Sequence, residues 1–334
     1  MGGHSCLNLL PCSTSTPCRA STAASSCRYS AAHHARARGQ TFAGRRGAAK
    51  VACSAAASGQ APPSQSTIKV VIVGATKEIG RVAIAAVSRA RGMELAGAID
   101  TQCIGQDAGE VLISGMEEPL EIPVLNDLTM VLGSIAQSRA TGVVVDFSEP
   151  SIVYDNVKQA AAFGLSTVVY VPKIEMDTVT ELSAFCEKAS MGCLVAPTLS
   201  IGSVLLQQAA IQASFHYNNV EIVESRPNPS DLPSQDAIQI ANNISDLGQI
   251  YNREDMDSDN PARGQVLGED GVRVHSMVLP GLASSTSVIL SGPGEIYTLK
   301  HDVTDVRCLM PGLILAIRKV IRLKNLIYGL EKFL

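Results

Sequence analysis

The stretch TIKVVIVGATKEIGR, Thr67 to Arg81, decides the fold. Its first half is an unbroken apolar run rich in β-branched residues, which predicts a strand buried on both faces. Gly74 then opens a turn, and EIGRVAIAAVSRAR (78–91) carries apolar residues at helical spacing. A helix that starts straight after such a turn offers unpaired N–H groups to a pyrophosphate. The next strand, MELAGAID (93–100), ends on Asp100, 20 residues past Gly80. A carboxylate there can hold the hydroxyls of an adenine ribose and repels a 2′-phosphate. The expected ligand is therefore a nicotinamide dinucleotide, NADH in preference to NADPH.

The turn departs from the usual three glycines. Gly74 and Gly80 remain around Ala75 and Ile79, but Thr76 and Lys77 fill the middle. Glu78 falls in the first helical turn, where it competes with phosphate for the same N–H groups. Two readings stand: residues 74–80 with Asp100 hold a dinucleotide, or the turn serves folding alone and binds nothing.

Downstream the pattern repeats. Helical MVLGSIAQSR (130–139) precedes strand-like GVVVDFS (142–148), and IVYDNVKQAAAFG (152–164) precedes STVVYV (166–171). DTVTELSAFCEKAS (177–190) then precedes CLVAP (193–197). Alternating strands and helices predict an α/β, doubly wound parallel sheet of the Rossmann type. Asp146 closes its strand at the ligand-binding edge, while Ser148 or Glu149 is expected to cap the next helix. APTLSIGS (196–203) joins two domains, with Ser200 and Gly202 suited to a hinge and a helix start.

After Leu199 the rhythm changes. Helices GSVLLQQAAIQASFHY (202–217) and DAIQIANNISDLGQI (236–250) bracket the strand NVEIVES (219–225). The strands VRVHSMVL, STSVILSG and EIYTLKHD then follow without helices between them, which predicts an α+β domain with a mostly antiparallel sheet. The closing PGLILAIRKVIRLKNLIYGLEKFL (311–334) reads as a helix returning to the first domain. Expected boundaries are 67–198 for the Rossmann domain, 199–308 for the second domain and 309–334 for the returning helix.

Charge and cysteine usage bound the rest. Residues 1–66 hold no Asp or Glu but seven basic residues: Arg19, Arg28, Arg36, Arg38, Arg45, Arg46 and Lys50. Rich in Ser and Ala, they read as an organelle transit peptide (1–53) and a linker (54–66). Weak hydrophobicity and VACSA (51–55) favour a plastid address, with cleavage near Cys53 and a stromal destination. Taking those seven from 27 basic residues leaves 20 against 31 acidic ones, a net charge of −11. Such a body repels nucleic acid and anionic lipid. Cys103, Cys186, Cys193 and Cys308 form no CxxC or Cys/His cluster, so no metal site is expected. No uncharged apolar stretch reaches ~18 residues, so no membrane insertion is expected.

Residues 223–237, VESRPNPSDLPSQDA, occupy the loop where catalytic side chains belong, yet hold no histidine, lysine or cysteine. Arg226 can clamp a carboxylate but, with a pKa above ~12, cannot donate a proton near neutrality. Unless an imidazole or ammonium group reaches the cleft from elsewhere, proton supply is lacking.

Residues 67–334, 268 of the 334, resemble the dihydrodipicolinate (4-hydroxy-tetrahydrodipicolinate) reductase family. VVIVGATKEIGR, VVVDFSEPS, APTLSIG, VEIVES with LPS, VHSMVLPGL and MPGLILAIRKV carry the resemblance by order and spacing. It implies the two-domain fold, a nicotinamide cofactor, reduction of a cyclic intermediate of lysine synthesis, and a homo-oligomer. The family's loop reads roughly E-x-H-H-x-x-K-x-D-A-P-S-G-T, in which a histidine and the lysine protonate the ring and hold its carboxylates. Here that loop begins at Glu224 and is one residue shorter. Ser225 to Ser230 replace the histidine and lysine region, and Ser234 survives. Gln235 and Asp236 replace the carboxylate-binding Gly-Thr.

The family's Gly-Thr-Thr-Gly turn beside the nicotinamide is replaced by Tyr170, Val171, Pro172 and Lys173, which crowd the hydride-transfer position. Tyr170 and Lys173 are the candidate replacement acids. By the same resemblance Ala196, Pro197, Thr198 and Leu199 line the cofactor. His216, His275 and His301 remain, of which His275 and His301 are expected to be satisfied structural residues.

With the transit peptide and altered loop taken together, the chain resembles the family's plastid, reductase-like branch. That branch is associated with formation and stability of the chloroplast NAD(P)H dehydrogenase (NDH) complex. Its subunits or assembly intermediates are thus the expected partners. A working lysine-pathway reductase and an oxidoreductase of another substrate remain the alternatives.

Overall fold

The computed structural model describes residues 67–110, 119–229, 232–255, 260–267 and 271–334. The expected transit peptide and linker lie outside these residues, as do Ser230, Asp231 and part of the Asp-rich segment.

In chain order, β1 (Ile68–Val73), α1 (Glu78–Arg89), β2 (Met93–Ile99), β3 (Val124–Leu125), α2 (Leu128–Gln137) and β4 (Gly142–Asp146) build the first half of a Rossmann unit. α3 (Pro150–Ala162), β5 (Ser166–Val169), α4 (Met176–Ala189) and β6 (Cys193–Val195) build the second. Then come α5 (Ile201–Ser214), β7 (Asn219–Arg226), α6 (Gln235–Ser245), β8 (Gln265–Leu267), β9 (Val272–Val278), β10 (Ser284–Gly292) and β11 (Glu295–Val303). The chain ends with α7 (Met310–Val320) and β12 (Leu326–Tyr328).

Seven strands form one parallel sheet in the order β12-β6-β5-β4-β1-β2-β3. The β-branched runs explain it: Val70, Val71 and Ile72 of β1 and Val143, Val144 and Val145 of β4 are wholly buried, with helices on both faces. One side packs Ile84 and Val87 of α1 with Leu313, Ile317 and Val320 of α7. The other packs Leu132 and Ile135 of α2 and Ala160 of α3. Strand order reverses between β1 and β4. The carboxyl ends of these two strands open a crevice there, the usual ligand site of such sheets.

The second sheet, β11-β10-β7-β9-β8, is antiparallel except for the parallel pair β7–β9. α5 and α6 cover one face, packing Leu206, Ala210, Ile240 and Ile244 against Val220, Ile222, Val288 and Leu290. Side-chain caps fix the helix starts. The Ser200 hydroxyl accepts from the Ser203 amide, and the Ser234 hydroxyl from the Ala237 amide.

The closing segment differs from the single helix expected of 311–334. α7 stops at Val320, and Leu326–Tyr328 pair with Cys193–Val195 as the seventh strand of the parallel sheet. The helical spacing ends where Lys324 and Asn325 introduce polar residues, and Gly329 follows the strand at φ 92°. Three residues are too few for a periodic strand signal.

Candidate functional site

At the crevice, Gly74 adopts φ 80° and lies so close to β4 that a Cβ there would meet the Phe147 carbonyl oxygen at 3.0 Å. A methyl group on Gly80 would run into the Gly74 carbonyl oxygen, so this glycine lets α1 close onto the turn. Both surviving glycines are thus required by the backbone itself.

The two substituted positions are tied into the groove. The Thr76 amide and hydroxyl donate to Asp100 Oδ2 at 2.9 and 2.7 Å. The Thr101 and Gln102 amides donate to Oδ1 at 2.7 and 3.1 Å. All four lone-pair positions of the carboxylate are engaged. Burial pushes the Asp100 pKa up, but the Thr76, Gln102 and Thr101 donors outweigh it and hold the carboxyl below its ordinary value. Lys77 reaches across the crevice, its ammonium donating to the Phe147 carbonyl at 2.8 Å and the Ser148 carbonyl at 2.6 Å.

Asp146 is wholly buried behind that contact. It accepts from the Ser148 amide at 2.8 Å and the Asn156 side chain at 2.9 Å. Burial raises its pKa more than these partners and Lys77 lower it. Helix α3 is capped otherwise than expected: Glu149 holds the N-cap position without a side-chain hydrogen bond, and Pro150 starts the helix. Asp146 organises the turn and offers no free oxygen to a ligand.

Beyond the crevice a cleft of about 800 Å³ separates the parallel sheet from the second one. Tyr170, Pro172 and Lys173 follow β5 on one wall, and Pro197, Thr198 and Ser200 form the hinge. Arg226, Ser234, Gln235, Asp236, Thr286 and His301 line the other wall.

Arg226 is not an open clamp. Nη1 donates to the Ser225 and Ser285 carbonyls at 2.8 and 2.6 Å, and Nη2 to the Ser234 and Thr286 hydroxyls at 2.6 and 2.9 Å. Nη2 also lies 3.1 Å from the carboxylate of Glu224, whose side chain is wholly buried. Glu224 in turn accepts from the Ser234 amide at 3.0 Å and the Ser276 hydroxyl at 2.6 Å. The loop's cation and carboxylate therefore satisfy each other.

Asp236 sits in the first turn of α6, facing Ser203, Arg226 and His301. Burial raises its pKa more than these neighbours lower it. Burial, with Asp236 and Cys308 nearby, also pushes the Tyr170 hydroxyl to about 12. That makes Tyr170 a poorer acid than a free phenol near neutral pH.

The cleft is also lined by two residues from outside the loop. His301 arrives from β11 and lines this wall, its ring packed against the backbone of Gly202 at the start of α5. Lys173 reaches the cleft from the opposite wall. His301 and Lys173 thus line the cleft from outside residues 224–237, so lack of a proton donor cannot be argued from that loop alone. His275 does have a structural partner, Glu221 Oε2 at 2.9 Å. His216 is exposed at the end of α5. The sequence reading missed the reach of Lys77 and the roles of Ser276, Ser285 and Thr286, for which spacing gives no signal.

Residues 68–199 match the family model "Dihydrodipicolinate reductase, N-terminus", and residues 202–334 match "Dihydrodipicolinate reductase, C-terminus". The chain belongs to the dihydrodipicolinate reductase family. One relative in it is the Arabidopsis thaliana "Dihydrodipicolinate reductase-like protein CRR1, chloroplastic", 72% identical over 272 residues, covering 81% of this chain and 91% of that one. The 4-hydroxy-tetrahydrodipicolinate reductase of a Nostoc strain is 46% identical over 279 residues, covering 81% and 99%. Dipicolinate-bound dihydrodipicolinate reductase from Paenisporosarcina superposes with a TM-score of 0.67 at 27% identity, covering 80% of this chain and all of that one.

A nicotinamide dinucleotide, the cofactor class of dihydrodipicolinate reductases, fits this frame. The glycine turn, the uncapped start of α1 and Asp100 stand where pyrophosphate and ribose would be held. Of the residues expected to line the cofactor at its far end, Tyr170, Pro172, Pro197 and Thr198 line the cleft, whereas Val171, Ala196 and Leu199 are buried in the core. A cofactor of this class, where bound, would supply hydride. Among the described residues no His, Cys, Asp or Glu group is placed to hold a metal ion.

Proposed function

We propose that this chain is a dihydrodipicolinate reductase-like protein of the chloroplast stroma that does not perform the lysine-pathway reduction. It serves formation or stability of the chloroplast NDH complex, with NDH subunits or assembly intermediates as partners. The carrying observation is the closed pair of Glu224 and Arg226. The cation in the altered loop is saturated by its own chain, and Asp236 stands where the family binds a substrate carboxylate. A substrate with two carboxylates meets a half-buried acid and no free clamp there. Support for the plastid setting comes from the chloroplastic relative at 72% identity and from the acid-free, Arg- and Ser-rich residues 1–66. Asp100 favours NADH over NADPH, because a 2′-phosphate would face its charge.

The deciding experiment is a turnover assay of the purified protein with the lysine-pathway substrate and NADH or NADPH. No turnover is expected, together with copurification of NDH components from chloroplast stroma. Turnover at a typical enzymatic rate of roughly 1–10³ per second overturns the reading.

A second reading, an oxidoreductase for a different substrate, is favoured by one feature. His301 lines an 800 Å³ cleft that retains room for a small molecule. An uncharged or cationic substrate suits that wall better than a dicarboxylate. Hydride transfer to such a compound, lost in His301→Ala but kept in the native protein, would establish it.

A further inference from the structure

Thr76 and Lys77 stand where the turn usually has small residues; Thr76 bonds to the carboxylate that a ribose would use, and Lys77 to two carbonyls across the crevice. Thr76 supplies two of the four hydrogen bonds that fill the Asp100 carboxylate. Its side chain is buried in doing so. Lys77 ties the β1–α1 turn to the β4–α3 turn through the Phe147 and Ser148 carbonyls, straddling the point where strand order reverses. Arg81 braces the same turn, its Nε donating to the Thr76 carbonyl at 2.7 Å. Ribose hydroxyls must displace the Thr76 hydroxyl to reach Asp100. A dinucleotide lying across the crevice must displace the Lys77 ammonium from its two carbonyls.

We propose that Thr76 and Lys77 form a latch that keeps the dinucleotide groove bonded to itself, so that the cofactor binds only by exchanging those contacts. The latch sets cofactor affinity low and makes occupancy respond to cofactor concentration, a property suited to a sensor rather than to a saturated enzyme. The proposal rests on residues 74–80 and Asp100 being a dinucleotide site. It is independent of whether the cleft turns over a lysine-pathway substrate.

The test is direct titration of the full chain with NADH and with ADP-ribose by calorimetry, alongside thermal unfolding without ligand. Thr76→Val keeps the bulk and removes the hydroxyl donor, while Thr76→Ser keeps the donor. Lys77→Met keeps the length and removes the charge. T76V and K77M should each bind NADH about tenfold tighter than the native chain. Both should melt earlier when empty, and T76S should match the native chain in both respects. ADP-ribose should follow the same order, because the latch acts on the ribose and phosphate half.

Unchanged affinity in T76V overturns the proposal, since the hydroxyl would then leave Asp100 without consequence. Weaker binding by K77M also overturns it, by making Lys77 a phosphate ligand. Absence of NADH binding in the native chain and all variants removes the groove as a dinucleotide site, whatever the turnover assay returns.

Discussion

Asp100 shows how one carboxylate can serve folding and ligand binding in competition. Four donors hold its ionised form below the ordinary carboxylate pKa despite the opposing effect of burial. A depressed folded-state pKa means that the group contributes stability above its unfolded value of 3.8 and loses it as pH falls through the lower folded value. Asp100→Asn removes that titration. The stability advantage of the native chain over D100N should therefore be full at about pH 6 and shrink below about pH 4. Urea midpoints at descending pH check it; a constant difference would mean that the carboxylate is no better held in the folded chain than in the unfolded one. Asp236 has the opposite sign, because burial raises its pKa, and ionisation there costs stability at neutral pH. The sequence revealed both acids and the loss of the loop histidine. It could not reveal His301 in the cleft, because β11 brings that ring to Gly202 from a hundred positions away, and only the folded sheet sets the meeting.

At the scale of elements, legibility followed burial. β1, β4 and β5 were readable because both faces are covered, which demands uninterrupted β-branched runs. β3 and β12 were not, since two or three residues carry no period. Helix α7 was readable from its apolar stripe, but its seat depends on a glycine. A Cβ on Gly312 would strike the Leu199 carbonyl oxygen, in the segment that joins the two sheets. Neither atom belongs to a flexible side chain, so Gly312→Ala must push the helix off the hinge. We expect a loss of about 1–3 kcal/mol in urea unfolding. A neutral result would show that the hinge yields freely. The loop of residues 223–237 was legible in composition only. That Arg226 turns inward to Glu224, Ser234 and Thr286 follows from the pairing of β7 with β10, which sets Glu224 opposite Thr286 and Ser225 opposite Ser285.

For the whole molecule, α7 and β12 belong to the sheet that β1 began, and the second sheet is inserted between β6 and α7. Leu330, just past β12, is fully buried in the same core as Val70 and Ile72. Truncation after Val320 removes a strand from the edge of β6 and this leucine from the core. The truncated chain should lose at least about 3 kcal/mol by urea unfolding, with the parallel sheet the first part to open. Unaltered stability would show that the sheet is complete with six strands.

That closure also fixes the order of events during synthesis. Every other strand of both sheets is made before Leu326–Tyr328, so the inserted unit is free to fold while the parallel sheet still lacks its edge strand beside β6. A nascent chain stalled before Leu326–Tyr328 have left the exit tunnel should therefore present a protease-resistant middle flanked by a cleavable front.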